Sequence, residues 1–210
     1  MTAAPPEPAE TTPEAAADAR APILELTAIT KAFPGVKAVD AVDFDVREGE
    51  VHALLGENGA GKSTLIKILS GVYRPDDGTI RLDGRPTTFA TPFEAQTAGI
   101  ATIYQELLLF PDLTVAENIF MGHAPRTRLG TIDWPELRSQ ARALLASLDI
   151  HDLDVDRVVG SLSVGNRQRV EIAKALSHNA RILIMDEPTA AWRWSISAIG
   201  WRRCFFWPTG

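Results

Sequence analysis

The chain has 210 residues, of which 45% are hydrophobic and 23% are charged. This length and composition are typical of one globular domain with a packed core. The formal net charge of −6 argues against a nucleic-acid-binding protein, because such proteins present a basic surface to phosphates. No apolar run approaches the roughly 20 residues that span a bilayer. The single cysteine, Cys204, excludes an internal disulfide and fits a reducing compartment.

Residues 1–22 differ in composition from the rest of the chain. They are rich in alanine, proline, glutamate and threonine, and five of them are prolines. Such a segment buries too little apolar surface to offset the entropy lost on ordering. We therefore expect a disordered leader over residues 1–22.

The body of the chain is predicted to run from residue 23 to residue 191, and it mixes strand and helix patterns. Apolar or alternating runs predict strands at 23–27, 44–47, 51–55, 79–84, 100–104 and 181–185. We expect the strand at 51–55 to be buried. An apolar stripe at helical spacing predicts a core-packed helix over 133–148, with Asp133 as its N-cap and Pro135 in its first turn. Strands that alternate with glycine turns and helices indicate a layered α/β fold.

A phosphate-binding motif lies between the strand at 51–55 and a helix-like run. It matches G-x-x-x-x-G-K-[ST], in which glycines let backbone N–H groups converge on phosphate oxygens. Lys62 would contact the β- and γ-phosphates, and the Ser63 hydroxyl would bind Mg²⁺. A kinase, GTPase or helicase could carry the same motif. The predicted nucleotide-binding residues of this loop are Gly56, Glu57, Asn58, Gly59, Ala60, Gly61, Lys62, Ser63 and Thr64.

Two further motifs are weaker when taken alone. Asp186 and Glu187 follow the apolar strand at 181–185, where Asp186 would face Mg²⁺ and Glu187 would orient or deprotonate the attacking water. Two adjacent acids also occur in solvated turns. Ser163 opens a polar and then helical stretch, and alone it could equally be an ordinary helix N-cap.

Taken together and in this order, the motifs resemble the ATP-binding cassette family. Its LSGGQ signature has a close variant in Leu-Ser-Val-Gly-Asn at 162–166, and residues 115–119 resemble the start of the arm that faces the permease. The resemblance implies a P-loop NTPase cassette with a β-rich N-terminal part, a parallel core sheet and an inserted α-helical subdomain at about 106–178. It also implies roles for four other residues. Gln105 would bind Mg²⁺ and act in catalysis with Lys62 and Glu187, Ser163 and Gly165 would touch the γ-phosphate held by a partner cassette, and Phe33 would stack on adenine unless it is a core phenylalanine.

One subfamily is most similar. Residues 32–38, 56–62, 103–107 and 170–176 look like the first cassette of bacterial ribose-, xylose- and galactose-type importers. The resemblance implies ATP and Mg²⁺ as cofactors, a second cassette in a head-to-tail dimer, a transmembrane permease and, indirectly, a periplasmic or extracellular sugar-binding protein. The location would be peripheral, on the cytoplasmic face of the membrane.

Two other functions stay open at this stage. The chain could be a nucleotide-binding remnant without turnover, or a non-transport ATPase of the same family in DNA repair or translation. The acidic body and the permease-facing arm argue against the non-transport alternative.

The family pattern stops at Ala191. Residues 192–210 hold four of the five tryptophans, the only cysteine and no acidic residue, without clear helical or strand periodicity. All four histidines precede Glu187, so none can be the switch histidine of the family. We expect an out-of-frame tail and missing C-terminal strands. The strand at 181–185 would then keep an open apolar edge, which favours aggregation.

Overall fold

The computed structural model describes residues 21–57, 59–104 and 108–185, together with the backbone of residues 204–209. The strands form an antiparallel sheet of order β2-β1-β4-β5 and a parallel sheet of order β3-β8-β7-β6. The strands are β1 Pro22–Phe33, β2 Val36–Arg47, β3 Val51–Leu55, β4 Asp77–Leu82, β5 Arg85–Thr87, β6 Ile100–Ile103, β7 Ile182–Met185 and β8 Cys204–Thr209. The helices are α1 Lys62–Leu69, α2 Pro92–Thr97, α3 Val115–Ile119, α4 Trp134–Ser147 and α5 Val164–Ser177, with a 3₁₀ turn at Val159–Ser161.

The antiparallel sheet forms the β-rich N-terminal part that the family resemblance implies. Strands β1 and β2 make a long hairpin, and β4 pairs with the other edge of β1. Leu24 lies opposite both Val46 and Leu82 in this sheet. Because alternate residues of a strand face opposite sides, Leu24 and Leu26 share one face, and both are buried.

The parallel strands β6 and β7 separate two hydrophobic cores. Ile182 and Ile184 pack with the antiparallel sheet and α1, whereas Leu183 and Met185 pack with α3, α4 and α5. All four residues of β7 are buried. Strands covered on both faces are expected to be continuously apolar, as this one is. The predicted strand at 181–185 and the layered α/β architecture are therefore confirmed.

Helix α4 forms as its sequence predicts. The Asp133 Oδ1 atom accepts a hydrogen bond from the Glu136 backbone N–H at 3.1 Å, and Pro135 lies in the first turn. The stripe that includes Leu137 and Leu145 is buried in the second core. Burial of each leucine contributes about 2 kcal/mol, which accounts for the helix better than propensity alone. None of the helices in the described ranges is long and apolar enough to cross a bilayer.

The expectation of an open edge beside β7 is wrong. Strand β8 lies between β3 and β7 and runs parallel to both, with Cys204 opposite Ile182 and Phe206 opposite Ile184. Ladder hydrogen bonds are made by backbone groups, and the aromatic stretch of this tail has a composition that favours strands. Pairing with β7 ends before Pro208, which has no N–H to donate. The absence of strand periodicity in the tail therefore did not exclude a strand.

Strand β3 has the predicted bounds but not the predicted burial. Val51 is 45% exposed and Leu55 is 73% exposed. Strand β3 is an outer strand that pairs only with β8 among the described strands, and its exposed residues alternate with the half-buried His52 and Leu54, so one of its faces is left uncovered. The apolar sequence therefore identified a strand without identifying its place in the sheet.

Candidate functional site

The carboxyl ends of the parallel strands define the site. Ile103 at the end of β6 lies opposite Met185 at the end of β7, and β3 runs in the same direction. The loop at 56–61 therefore leaves the same edge of the sheet as the segments that come after β6 and β7. In open parallel sheets this edge is where ligands bind.

The loop between β3 and α1 closes through a short backbone turn. The Ala60 N–H donates to the Glu57 carbonyl at 3.1 Å, and the Leu65 N–H donates to the Gly61 carbonyl at 2.9 Å. The predicted loop and the helix after it are therefore present, with α1 beginning at Lys62. Asn58, which the sequence assigns to the same loop, lies outside the described residues.

Gly61 is the N-cap of α1 and has a left-handed backbone with φ +85°. A Cβ atom at this position would lie 2.1 Å from the Ala38 carbonyl oxygen of β2. Only glycine permits both this conformation and this close approach. The glycine therefore lets the start of α1 pack directly against the antiparallel sheet.

The N-terminus of α1 is also the one α-helix start in the described ranges without a side-chain cap. The caps of the other four α-helices, Thr91, Thr114, Asp133 and Ser163, each accept a backbone N–H. Gly61 has no side chain to do so, and the first turn of α1 contains no acidic residue. Uncapped N–H groups and the positive end of the helix dipole favour an anion.

Lys62 lies over this loop. Its ammonium donates to the Gly56 carbonyl and, at 3.1 Å, to the Glu57 carbonyl. Ser63, the next residue, has an exposed side chain. A Mg²⁺-bound phosphate chain requires hydrogen-bond donors for its oxygens and an oxygen ligand for the metal. The backbone N–H groups and the Lys62 ammonium are such donors, and the Ser63 hydroxyl is such a ligand, so the residues present fit this group.

Phe33 lies at the end of β1 and is half-buried. Its ring meets the Tyr73 ring edge to face, with 5.3 Å between centroids, and the Lys31 ammonium is 5.8 Å from the Phe33 centroid. The ring is therefore neither fully buried nor free of neighbours. Its assignment to adenine stacking stays a prediction.

The signature residues lie at the start of α5. The Ser163 hydroxyl accepts the Asn166 N–H at 3.3 Å, so the N-cap interpretation is confirmed. A Cβ atom added at Gly165 would meet nothing within 4 Å, and the Ser163 side chain is exposed. The buried face of α5 belongs to the core with α3 and α4, whereas α1 belongs to the other core. Within the described ranges, no shared core brings the signature and the phosphate loop together.

Three predicted residues lie outside the described ranges. These are Gln105, Asp186 and Glu187, which come after β6 and β7. Their assignment to Mg²⁺ binding and catalysis stays a prediction. The structure describes the strands that precede them, β6 and β7, and the register in which these two strands pair.

The sequence did not point to a cavity of about 280 Å³ between α2, β6 and α5. Thr102, Tyr104, Leu108, Glu171 and Lys174 are among the residues that line it. Glu171 is 7% exposed, and burial raises the pKa of its carboxyl above the usual range. The sequence contains one signal for this buried carboxyl, which is an acidic residue between Val170 and Ile172 on a largely apolar helix face.

These features define a P-loop nucleotide-binding cassette. The family model described as ABC transporter matches residues 39–190, and the chain belongs to this family. The solved ADP conformation of MJ1267, an ATP-binding cassette of an ABC transporter, has a TM-score of 0.76 and 28% identity, covering 90% of this chain and 81% of that one. A nucleotide-free ATP-binding cassette from an ABC transporter has a TM-score of 0.73 and 28% identity, over 90% of this chain and 82% of that one.

Curated relatives are more similar in sequence. Ribose import ATP-binding protein RbsA 1 of Rubrobacter xylanophilus is 59% identical over 170 residues, which are 81% of this chain and 34% of that protein. Ribose import ATP-binding protein RbsA 2 of Rhizobium johnstonii is 56% identical over 169 residues, covering 80% and 33%. The chain thus spans about a third of the length of the curated relatives it matches.

Proposed function

We propose that this chain binds Mg-ATP on residues 56–64 and hydrolyses it to energise import of a monosaccharide. The observation that carries the proposal is the uncapped start of α1 with Lys62 placed over the loop. The relatives that are 56% and 59% identical are ribose import ATP-binding proteins, which supports a sugar as the transported solute.

Each residue has a stated task in this proposal. Lys62 and the loop N–H groups would bind the β- and γ-phosphates. Ser63, Gln105 and Asp186 would hold Mg²⁺, which supplies neutralisation of phosphate charge. Glu187 would orient or deprotonate the attacking water. Phe33 would stack on adenine.

The exposed signature suggests that a partner completes the site. Ser163 is exposed and Gly165 is half-buried, and the buried face of their helix belongs to a different core from α1. They are therefore better placed to meet a nucleotide held by another molecule. We infer a second cassette in a head-to-tail dimer, in which each ATP contacts one phosphate loop and the other signature.

The proposed location derives from the import function. The cassette would sit on the cytoplasmic face of the membrane, bound to a permease, with a sugar-binding protein acting indirectly from the other side. Dimer closure would bias the permease between two access states through differential binding. The permease and the binding protein, and not this cassette, would select the sugar.

Separate measurements of ATP binding and hydrolysis test the proposal. We expect Mg-ATP turnover by the chain, with Glu187→Gln lowering the rate by about 100-fold or more while binding persists. Binding without any turnover that depends on Glu187 would instead identify a nucleotide-binding remnant. Co-purification with a membrane permease, and not with DNA or ribosomes, would separate an importer from a non-transport ATPase.

We also propose that residues 192–210 come from another reading frame. The family match ends at residue 190, and the tail has four tryptophans and no acidic residue. DNA downstream of codon 191 tests this. Another frame that encodes a D-loop and a switch histidine would support the proposal, and a transcript that matches the tail with no lost base would refute a sequencing error.

A further inference from the structure

Strand β3 is joined to the rest of the parallel sheet through β8. Its five residues lie opposite those of β8, from Val51 opposite Phe205 to Leu55 opposite Thr209, and β8 is the one described strand that pairs with β3. The family match ends at residue 190, so β8 belongs to the tail beyond it. The strand that leads into the phosphate loop therefore depends for its sheet pairing on residues outside the family match.

The other edge of β8 pairs with β7. This pairing runs from Cys204 opposite Ile182 to Phe206 opposite Ile184. Neighbouring strands lie about 4.8 Å apart, so β8 spans a gap of about 10 Å between β3 and β7. If β8 were removed, the backbone N–H and C=O groups along the two edges that face it would lose their strand partner, which carries a cost in free energy.

Apolar burial holds β3 less firmly than it holds α1. Val51 is 45% exposed and Leu55 is 73% exposed, and Leu54 packs only partly against the core that α1 shares with the antiparallel sheet. Helix α1, in contrast, buries four residues in that core, which are Leu65, Ile66, Ile68 and Leu69. The two ends of the phosphate loop therefore have different anchors. Packing holds the α1 end, and strand pairing holds the β3 end.

The register places the last β3–β8 pair directly before the phosphate loop. Thr209 lies opposite Leu55, and Gly56 is the next residue along the chain. The Gly56 carbonyl accepts a hydrogen bond from the Lys62 ammonium. A displacement of β3 would therefore move this carbonyl, and the loop N–H groups after it, relative to the packed start of α1.

We propose that β8 is a positioning strand, which holds β3 and so keeps the Gly56 end of the phosphate loop in its nucleotide-binding position. The inference rests on the proposed function, in which this loop binds Mg-ATP. It requires only backbone pairing and a sequence that favours strands, so a tail from another reading frame meets the requirement. All of the residues proposed to contact nucleotide lie outside β8, and its effect on binding is therefore indirect.

A proline in the middle of β8 tests the proposal in the full chain. Phe206 lies opposite both His52 and Ile184, so Phe206→Pro removes a backbone donor from the ladder and restrains φ to about −65°, away from the value of a parallel strand. Phe206→Val is the matched control, because it removes the same ring but keeps the N–H and favours a strand. We expect Mg-ATP affinity, measured by calorimetry, to be about tenfold or more weaker in Phe206→Pro than in Phe206→Val, since apparent affinity falls with the fraction of chains in the binding-competent state.

Hydrogen exchange locates the effect of the proline. Exchange at residues 51–55 should be about tenfold or more faster in Phe206→Pro than in Phe206→Val. Residues 170–176 of α5 should exchange at the same rate in both variants, because the buried face of α5 belongs to the other core. Faster exchange in both segments would show that Phe206→Pro has lost its fold, and the parent chain then decides.

The parent chain provides a test that needs no substitution. A ligand that binds only when β3 is in place must stabilise the pairing that holds it there. Addition of Mg-ATP should therefore slow exchange at residues 51–55 and at residues 204–207 together.

Two results would overturn the role of β8. One is equal Mg-ATP affinity of Phe206→Pro and Phe206→Val. The other is a parent that binds Mg-ATP while exchange at 204–207 stays the same, which holds even if Phe206→Pro does not fold. A parent that binds no Mg-ATP would overturn the proposed function itself, and calorimetry of the parent distinguishes that failure from a failure of β8 to position the loop.

Discussion

Replacing Asn118 with leucine removes the most heavily bonded buried side chain of α3. Its Nδ2 donates to the carbonyls of Phe110, Leu113 and Thr114 at 3.0, 3.3 and 3.0 Å, and its Oδ1 accepts the Phe110 N–H. These contacts also fix the amide orientation, because three carbonyls surround the nitrogen and a backbone donor faces the oxygen.

The cost of Asn118→Leu can be estimated from what each partner keeps. The three carbonyls retain backbone donors, which are Leu113 for Phe110, Val159 for Leu113 and Asn118 itself for Thr114. Only the Phe110 N–H loses its partner. An unsatisfied buried donor costs about 1–3 kcal/mol, and weakened bonds to the carbonyls raise the expected loss of unfolding free energy to about 2–4 kcal/mol.

Urea unfolding followed by circular dichroism measures this loss. Gln140→Leu is the control, since Gln140 is exposed and its amide makes one bond to Glu136 within α4. We expect that control to change stability by less than about 0.5 kcal/mol. Asn118→Asp should be worse than Asn118→Leu at pH 7, because a carboxylate would face three carbonyls with no proton to donate. Equal stability of Asn118→Leu and the parent would refute the reasoning.

Three further predictions concern other sites. Gly61→Ala should destabilise the fold more than Gly130→Ala, because both glycines have positive φ but only a Cβ atom at Gly61 would meet a backbone oxygen. Backbone strain alone should cost Gly130→Ala about 1 kcal/mol, and Gly61→Ala should lose more because the clash adds to the strain. Thermal melts of the two variants measure this difference. Burial lowers the pKa of His123 and of His178, whose ring centroids lie 3.8 Å apart. The free energy of unfolding should therefore fall as the pH drops below about 6.5, because the unfolded chain binds protons there before the folded chain does. A chain with both His123→Gln and His178→Gln should show a flatter pH profile in urea titrations. Ser163→Ala should cost about 1 kcal/mol through loss of the α5 cap, measured by the same titration, and an unchanged midpoint would count against the cap.

Local signals in the sequence predicted much of the fold. The stripe of α4 and the cap at Asp133 are decided within a few residues, and the phosphate loop is a contiguous motif. Strand β7 could be predicted because a strand covered on both faces must be apolar throughout. In each case the information lies in neighbouring residues.

Features that depend on distant partners could not be predicted in the same way. The exposure of β3 depends on which elements cover each of its faces, and the pairing of β8 depends on backbone groups that carry no sequence pattern. The contact of Lys174 with the Leu108 carbonyl joins residues far apart in the chain. Sequence analysis assigned Glu171 no role, and its burial results from the packing of α5.

Titration of the chain with Mg-ATP, by calorimetry, tests the central claim most directly. Lys62→Ala is the matched variant, because the hydrogen bonds of the Lys62 ammonium go to the carbonyls of Gly56 and Glu57 within the loop, and their loss should leave the fold intact. We predict binding by the parent, with affinity about tenfold to 100-fold weaker in Lys62→Ala at an unchanged melting temperature in the absence of nucleotide, since charge-assisted bonds to phosphate are lost. Equal affinity of two folded chains, or no binding by the parent, would contradict the assignment of this loop as an ATP site.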